Sequence, residues 1–245
     1  MAYHAVSSSW PSDLAIPEQT LRAQLSLLKR RGYVGMTFRD WEQRRDRRSL
    51  PKRSVVVTFD DGYASTLNAK PILETLGYPA TVFPVLRFVE GGEPLCWPGI
   101  EQWRHSEHAE ELRPLTWAQL EQLVTAGWEV GSHTVGHPLL PELPDEELES
   151  ELHRSRAGIV DRLGSCDTIA YPYGEADERV ARAAASAGYT AGCTLSRFHL
   201  ADEPHLRPRV GLFSSDTGAR LRAKLSPVSL TLRRSAITAR LLGGG

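Results

Sequence analysis

At 245 residues the chain is long enough to bury the full core of one α/β domain. Its 41% hydrophobic and 24% charged residues exclude extended disorder, and a formal net charge of −1 argues against a general nucleic-acid or membrane binder. No apolar run approaches a bilayer span, and Met1-Ala2-Tyr3-His4 has neither the basic nor the apolar region of an export signal, so a cytoplasmic location is expected.

The chain opens with a short strand-forming stretch, Met1 to Val6, which carries His4, and continues through a Ser- and Pro-containing loop, Ser7 to Pro17. Leu21, Leu25 and Leu28 recur at helical spacing, so Glu18 to Arg31 reads as an amphipathic helix stopped by Gly32. Phe38 to Arg48 reads as a second helix, with Trp41 on its buried side and a strongly basic end. Ser54-Val55-Val56-Val57-Thr58-Phe59 is a strand buried on both faces, and it runs into Asp60-Asp61-Gly62-Tyr63. A helix is expected over Ala64 to Leu76, ending at Gly77, and an uncharged strand over Pro79 to Val85.

Gly91 to Arg113 reads as irregular and rich in Trp, Pro and His, a long loop of the kind that is often functional or mobile. Thr116 caps a helix over Trp117 to Ala126, and Trp128 to Val130 forms a short strand before Gly131-Ser132-His133-Thr134-Val135-Gly136-His137-Pro138. Asp145 caps a helix through Leu163. Thr168 to Tyr171 is a strand turned by Pro172-Tyr173-Gly174, and a helix runs from Asp177 to Gly188. Strands around Thr190 to Leu195 and Arg209 to Phe213 precede a helix over Thr217 to Leu225. Strands alternating with helices imply a mostly parallel sheet, with the chemically interesting residues just after the strands.

Cys96, Cys166 and Cys193 show no ligand spacing and read as small hydrophobes. After Leu206, Arg207, Arg209, Arg220, Arg222, Lys224, Arg233, Arg234 and Arg240 stand against the single acid Asp216. That reads as a solvated basic face, with contact to an anionic polymer or membrane surface as the alternative.

Adjacent carboxylates at the mouth of a buried strand resist joint ionisation unless a cation or a shared proton relieves them. His133 and His137 follow another strand, and imidazoles with one carboxylate make a three-ligand site for zinc or a similar divalent metal, with a position open for water. Either pair alone is weak. Together in one chain they are sharp.

These stretches carry a family resemblance. Thr58-Phe59-Asp60-Asp61-Gly62-Tyr63, His133-Thr134-Val135-Gly136-His137 and Tyr171-Pro172-Tyr173-Gly174 resemble, in order and spacing, the first three motifs of the polysaccharide deacetylases with a NodB-like domain. The likeness spans Ser54 to Phe213, within one domain taken as residues 1–245. Tyr3-His4-Ala5-Val6 is similar to the opening motif of the subgroup that acts on poly-N-acetylglucosamine.

The resemblance implies a distorted (β/α) barrel of about seven parallel strands, and hydrolysis of N-acetyl groups on a sugar or polysaccharide by a metal-activated water. Asp61, His133 and His137 would hold the metal, zinc in most of the family. Asp60 would be the general base, and the backbone N–H of Tyr173 would face the developing oxyanion. Thr134 would fix the loop that carries the two histidines. The chain departs from the pattern twice. Ile169 and Ala170 stand where many members carry the arginine that tethers the base, which leaves Arg207 or Arg209 to supply it. The usual late Leu-x-x-His acid is absent, so His4 is the expected general acid, with His205 and His199 in reserve.

Trp97 and Trp103, in the irregular segment, are better candidates for stacking on sugar rings than Trp117, and Tyr63 is expected to line the cleft. The rival readings are an O-acetyl glycan esterase on the same scaffold and a catalytically silent glycan-binding module. The expected partner is an N-acetylated glycan or glycoside.

Overall fold

The structure, a computed structural model, describes residues 1–195 and 203–226. Its strands are β1 (Ala2–Tyr3), β2 (Ala5–Val6), β3 (Ala15–Ile16), β4 (Val34–Met36), β5 (Ser54–Val56), β6 (Thr58–Asp61), β7 (Thr81–Pro84), β8 (Glu129–Val130), β9 (Thr168–Ala170), β10 (Ala191–Thr194) and β11 (Arg207–Pro208). The helices are α1 (Glu18–Arg30), α2 (Phe38–Asp46), α3 (Lys70–Leu76), α4 (Leu86–Gly91), α5 (Trp117–Thr125), α6 (Asp145–Leu163), α7 (Glu178–Ser186) and α8 (Gly218–Lys224).

All ladders among the described residues are parallel. One sheet runs β1-β6-β7-β8 and a second β11-β10-β9. A bridge between Ser132 and Ile169 joins the end of β8 to β9, and another between Ala2 and Gly211 returns the chain after β11 to β1. These seven strands therefore follow one another round a ring whose two seams are single bridges. The result is a distorted (β/α) barrel without a continuous ladder. β6, β7, β9 and β10 are buried along their whole length, as expected of strands covered on both faces.

The valine run is not one strand. β5 pairs with β4, whereas β6 pairs with β1 and β7, and the chain changes partners at buried Val57. The helix expected from Ala64 begins as a 3₁₀ turn over Ala64–Ala69 before α3, which Gly77 ends at φ 65°. Thr116 and Gln119 close a capping box on α5. Asp145 is the first helical residue of α6 and not its cap; extended Pro144 takes that place, and the Asp145 carboxylate pairs with Arg179 at 2.6 Å.

The Gly91–Arg113 segment is better ordered than its composition suggests. Leu95, Trp97, Ile100 and Leu112 are buried with Ala5, Trp10, Tyr63 and Phe88 in a second hydrophobic cluster beside the main core. This cluster forms one wall of the cleft described below.

The other end of the barrel is closed by the N-terminus of α2. The Phe38 N–H donates to Thr81 Oγ1 at 2.9 Å, and the Arg39 N–H donates to Glu129 Oε2 at 2.9 Å. The late basic residues are partly internal: Arg207 pairs with buried Glu42, Arg209 with Asp60, and Arg220 and Lys224 with buried Asp216. Arg233, Arg234 and Arg240 lie outside the described residues. No helix among the described residues is long and apolar enough to cross a membrane.

Candidate active site

β6 delivers both carboxylates to the ring's C-terminal end, and a left-handed Asp61 (φ 69°) turns the two side chains to different partners. Asp61 Oδ1 lies 3.2 Å from His133 Nε2 and 3.4 Å from His137 Nε2. Asp60 turns instead to Arg209, which forks onto it: Nη1 donates to Oδ1 at 2.6 Å and Nη2 to Oδ2 at 2.7 Å. The same Nη1 donates to Thr58 Oγ1 at 2.7 Å, and the guanidinium lies over the Phe83 ring.

Between the two tether candidates the geometry therefore separates cleanly. Arg209 holds Asp60, while Arg207 is engaged with Glu42. Burial acts to raise the Asp60 pKa, but the Arg209 charge and hydrogen bonds outweigh it and hold the carboxyl below its ordinary range. At Asp61 burial is likewise outweighed, by hydrogen bonds from His133 and His137.

The histidines come from the loop after β8. His133 Nδ1–H donates to the Ala170 carbonyl at 2.7 Å, which fixes the ring's orientation and turns Nε2 toward Asp61. Thr134 (φ 69°) accepts from the His137 N–H at 3.0 Å through Oγ1, as expected of the residue that sets this loop. His137 (φ 62°) is held by rings as well as by its approach to Asp61. Trp97 stacks on it at 4.1 Å and 19°, Tyr173 meets it edge-on at 4.7 Å, and its Nδ1 has no partner among the described residues.

Asp61, His133 and His137 are all buried, and their ligand atoms lie within 4.8 Å of one another. Separations of 3.2 and 3.4 Å match the edge of a tetrahedron with legs of about 2.0–2.1 Å, so the donor set fits a zinc-like ion.

The group opens into a cleft of about 690 Å³, lined by His4, Asp60, Asp61, His133, His137 and Tyr173, with Trp97, Trp103 and Phe213 on its walls. His4, half-buried between β1 and β2, is thus brought to the site. His205 is not: its Nε2 bonds to the Tyr189 carbonyl at 2.9 Å, behind β10. His199 lies outside the described residues. Tyr173 sits in the Pro172–Gly174 turn with φ 59° and a 42% exposed side chain. Tyr63 does not line the cleft; it is fully buried against Trp10, with its hydroxyl unpartnered among the described residues. Trp117 is also absent from the cleft wall and lies under the Arg162 guanidinium. Phe213, read from the sequence as the end of a strand over Arg209 to Phe213, lies outside β11 and lines the cleft.

The sequence profile of the polysaccharide deacetylases matches residues 47–192. The chain belongs to the polysaccharide deacetylase family. YxkH of Bacillus subtilis (strain 168), assigned to the polysaccharide deacetylases, is 27% identical over 198 residues, covering 79% of this chain and 63% of that protein. The poly-β-1,6-N-acetyl-D-glucosamine N-deacetylase of Escherichia coli (strain K12) is 29% identical over 125 residues, covering 49% of this chain and 18% of that enzyme. This chain thus spans less than two thirds of either relative. Among solved structures, the Streptococcus pyogenes deacetylase PplD, in complex with acetate, has the same fold: TM-score 0.79 at 23% identity, over 93% of this chain and 97% of that one. IcaB from Ammonifex degensii matches with TM-score 0.70 at 25% identity, over 96% and 95%.

Proposed function

We propose that the protein is a metal-dependent carbohydrate deacetylase that hydrolyses N-acetyl groups on an N-acetylated sugar or polysaccharide. The observation that carries this reading is the division between neighbouring carboxylates: Asp61 faces the Nε2 atoms of two imidazoles, while Asp60 is held off by a guanidinium fork. Asp61, His133 and His137 hold the ion, with zinc the best fit to two nitrogens and one oxygen. When bound, such an ion polarises an acetyl carbonyl and lowers the pKa of a neighbouring water.

The chain's own groups do the rest. Asp60 keeps free lone pairs beyond those that meet Arg209, stays ionised, and takes the proton from the attacking water. The Tyr173 backbone N–H donates to the developing oxyanion from its left-handed turn. His4, across the cleft, protonates the leaving amine nitrogen. Trp103, Tyr173 and Phe213 offer flat apolar faces for sugar rings. The name of the Escherichia coli relative favours a glycan of N-acetylglucosamine as the substrate class.

Acetate release by zinc-loaded protein is to be measured on N-acetylglucosamine oligomers beside an O-acetylated glycan. Release from the oligomers is expected. Release from the O-acetylated glycan alone would replace the reading with an esterase, and zinc binding without turnover on either would leave a silent glycan binder.

A further inference from the structure

The near-zero total charge hides a separation. Residues 29–53 carry ten Lys/Arg (Lys29, Arg30, Arg31, Arg39, Arg44, Arg45, Arg47, Arg48, Lys52, Arg53) and three acids (Asp40, Glu42, Asp46), a net of +7. The remaining chain is left with 19 Lys/Arg against 27 acids, a net of −8.

The topology gathers this charge at one end. α1 ends where the chain turns into the start of β4, and the loop after α2 leads into the start of β5. Both approaches lie at the N-terminal ends of parallel strands, opposite the mouth that holds the cleft. The Val34 N–H donates to the Arg53 carbonyl at 2.9 Å, and the Arg53 guanidinium contacts the Arg31 carbonyl, so the two approaches touch.

Arg31, Arg44, Arg47, Arg48, Lys52 and Arg53 are all exposed, and none meets a carboxylate among the described residues. Val34, 48% exposed, sits among them. Arg48 also adopts φ 53°. It is the one non-glycine residue in the left-handed region among the described residues that lies away from the candidate site, at a position glycine or asparagine would hold more easily.

We propose that this basic face around Val34 docks on an anionic phospholipid bilayer and leaves the cleft turned away from the lipid. A cluster of exposed cations that meet no carboxylate, on a chain that is otherwise net negative, orients a protein on a negative surface. An exposed aliphatic side chain beside these cations gains from the headgroup–acyl boundary and gains nothing from a soluble polyanion. Of the late basic run, Arg207, Arg209, Arg220 and Lys224 already face carboxylates.

The test is co-sedimentation of the full chain with phosphatidylcholine vesicles, with and without phosphatidylglycerol, at about physiological ionic strength. Two variants are compared: Arg44→Glu/Arg47→Glu/Lys52→Glu, and Val34→Ser. Their folding is checked by circular dichroism, and their acetate release on soluble oligomers is expected to be unchanged. Binding is expected only with the anionic lipid, weakened at least about a hundredfold by the triple reversal and several-fold by Val34→Ser. Absence of binding to anionic vesicles, or equal binding of the triple variant, would overturn the proposal. Binding to heparin as tight as to vesicles and indifferent to Val34→Ser would overturn it in favour of a polyanion site.

Discussion

Glu129 and the Asp60–Asp61 pair are buried carboxylates on neighbouring parts of one barrel, yet they meet opposite surroundings. At the floor, Glu129 accepts from the Arg39 N–H and the Thr81 hydroxyl at Oε2, both at 2.9 Å, and from the Thr168 hydroxyl at Oε1, 2.5 Å. These donors are neutral, and burial leaves the Glu129 pKa raised against their pull. At the mouth, the carboxylates face a guanidinium and two imidazole rings. Four non-glycine residues there, Asp61, Thr134, His137 and Tyr173, adopt left-handed backbone. Burial of charge therefore does not mark a functional site. A carboxylate whose oxygens are already satisfied by fixed neutral donors marks a structural plug; ligating atoms aimed at a common point on a strained backbone mark a place for a ligand.

The largest expected effect that sharpens this contrast is on turnover. Asp60→Asn and His4→Ala should each lower kcat by roughly 10²–10⁴-fold, the range for a lost general base or acid, when acetate release is followed under saturating substrate. A His4→Ala enzyme with unchanged kcat would remove His4 from the acid role. Next comes the fork. Arg209→Met leaves Asp60 buried without its cation and should cost about 3–5 kcal/mol in urea unfolding, whereas Arg209→Lys, which keeps the charge and loses the fork, should cost less. At the floor, Glu129→Gln should cost about 1–3 kcal/mol, because an amide cannot accept from all the donors there, with zinc content and turnover of the folded protein unchanged. Loss of zinc in that variant would break the distinction between the two ends.

Much of the mouth was legible because its residues sit in short motifs. Asp60-Asp61, His133 to His137 and Pro172 to Gly174 each need local backbone that the sequence announces with glycine, proline and a preceding strand. Arg209 was legible only as one of two candidates. It stands 149 residues from Asp60, and only the return of the chain from β11 to β1 brings them together. Glu129 read as part of a strand, and nothing local told which end of the barrel it faces. α4 went unforeseen, since six residues are too few to show a period. The break at Val57 depends on which strands pair, which is a tertiary fact.

The smallest effect concerns pH. Burial acts to raise the Asp216 pKa, but hydrogen bonds from Lys224 and the Phe213 N–H, with the Arg220 charge nearby, hold it down. A carboxyl depressed in the folded state contributes stability that is present above its unfolded pKa, about 3.9, and is lost as pH falls through the folded value. The melting temperature should therefore fall on acidification below about pH 4, and Lys224→Met should show a shallower fall. Parallel curves for the two proteins would exclude this contribution.

The account rests on a division of labour between adjacent carboxylates, and zinc content tests it most directly. Asp60→Asn and Asp61→Asn are loaded with zinc, freed of excess and assayed for bound metal beside the wild type. Asp60→Asn should retain the wild-type zinc content, while Asp61→Asn should lose it. Equal loss in both variants, or full retention in both, would contradict the assignment of Asp61 to the metal and Asp60 to the proton.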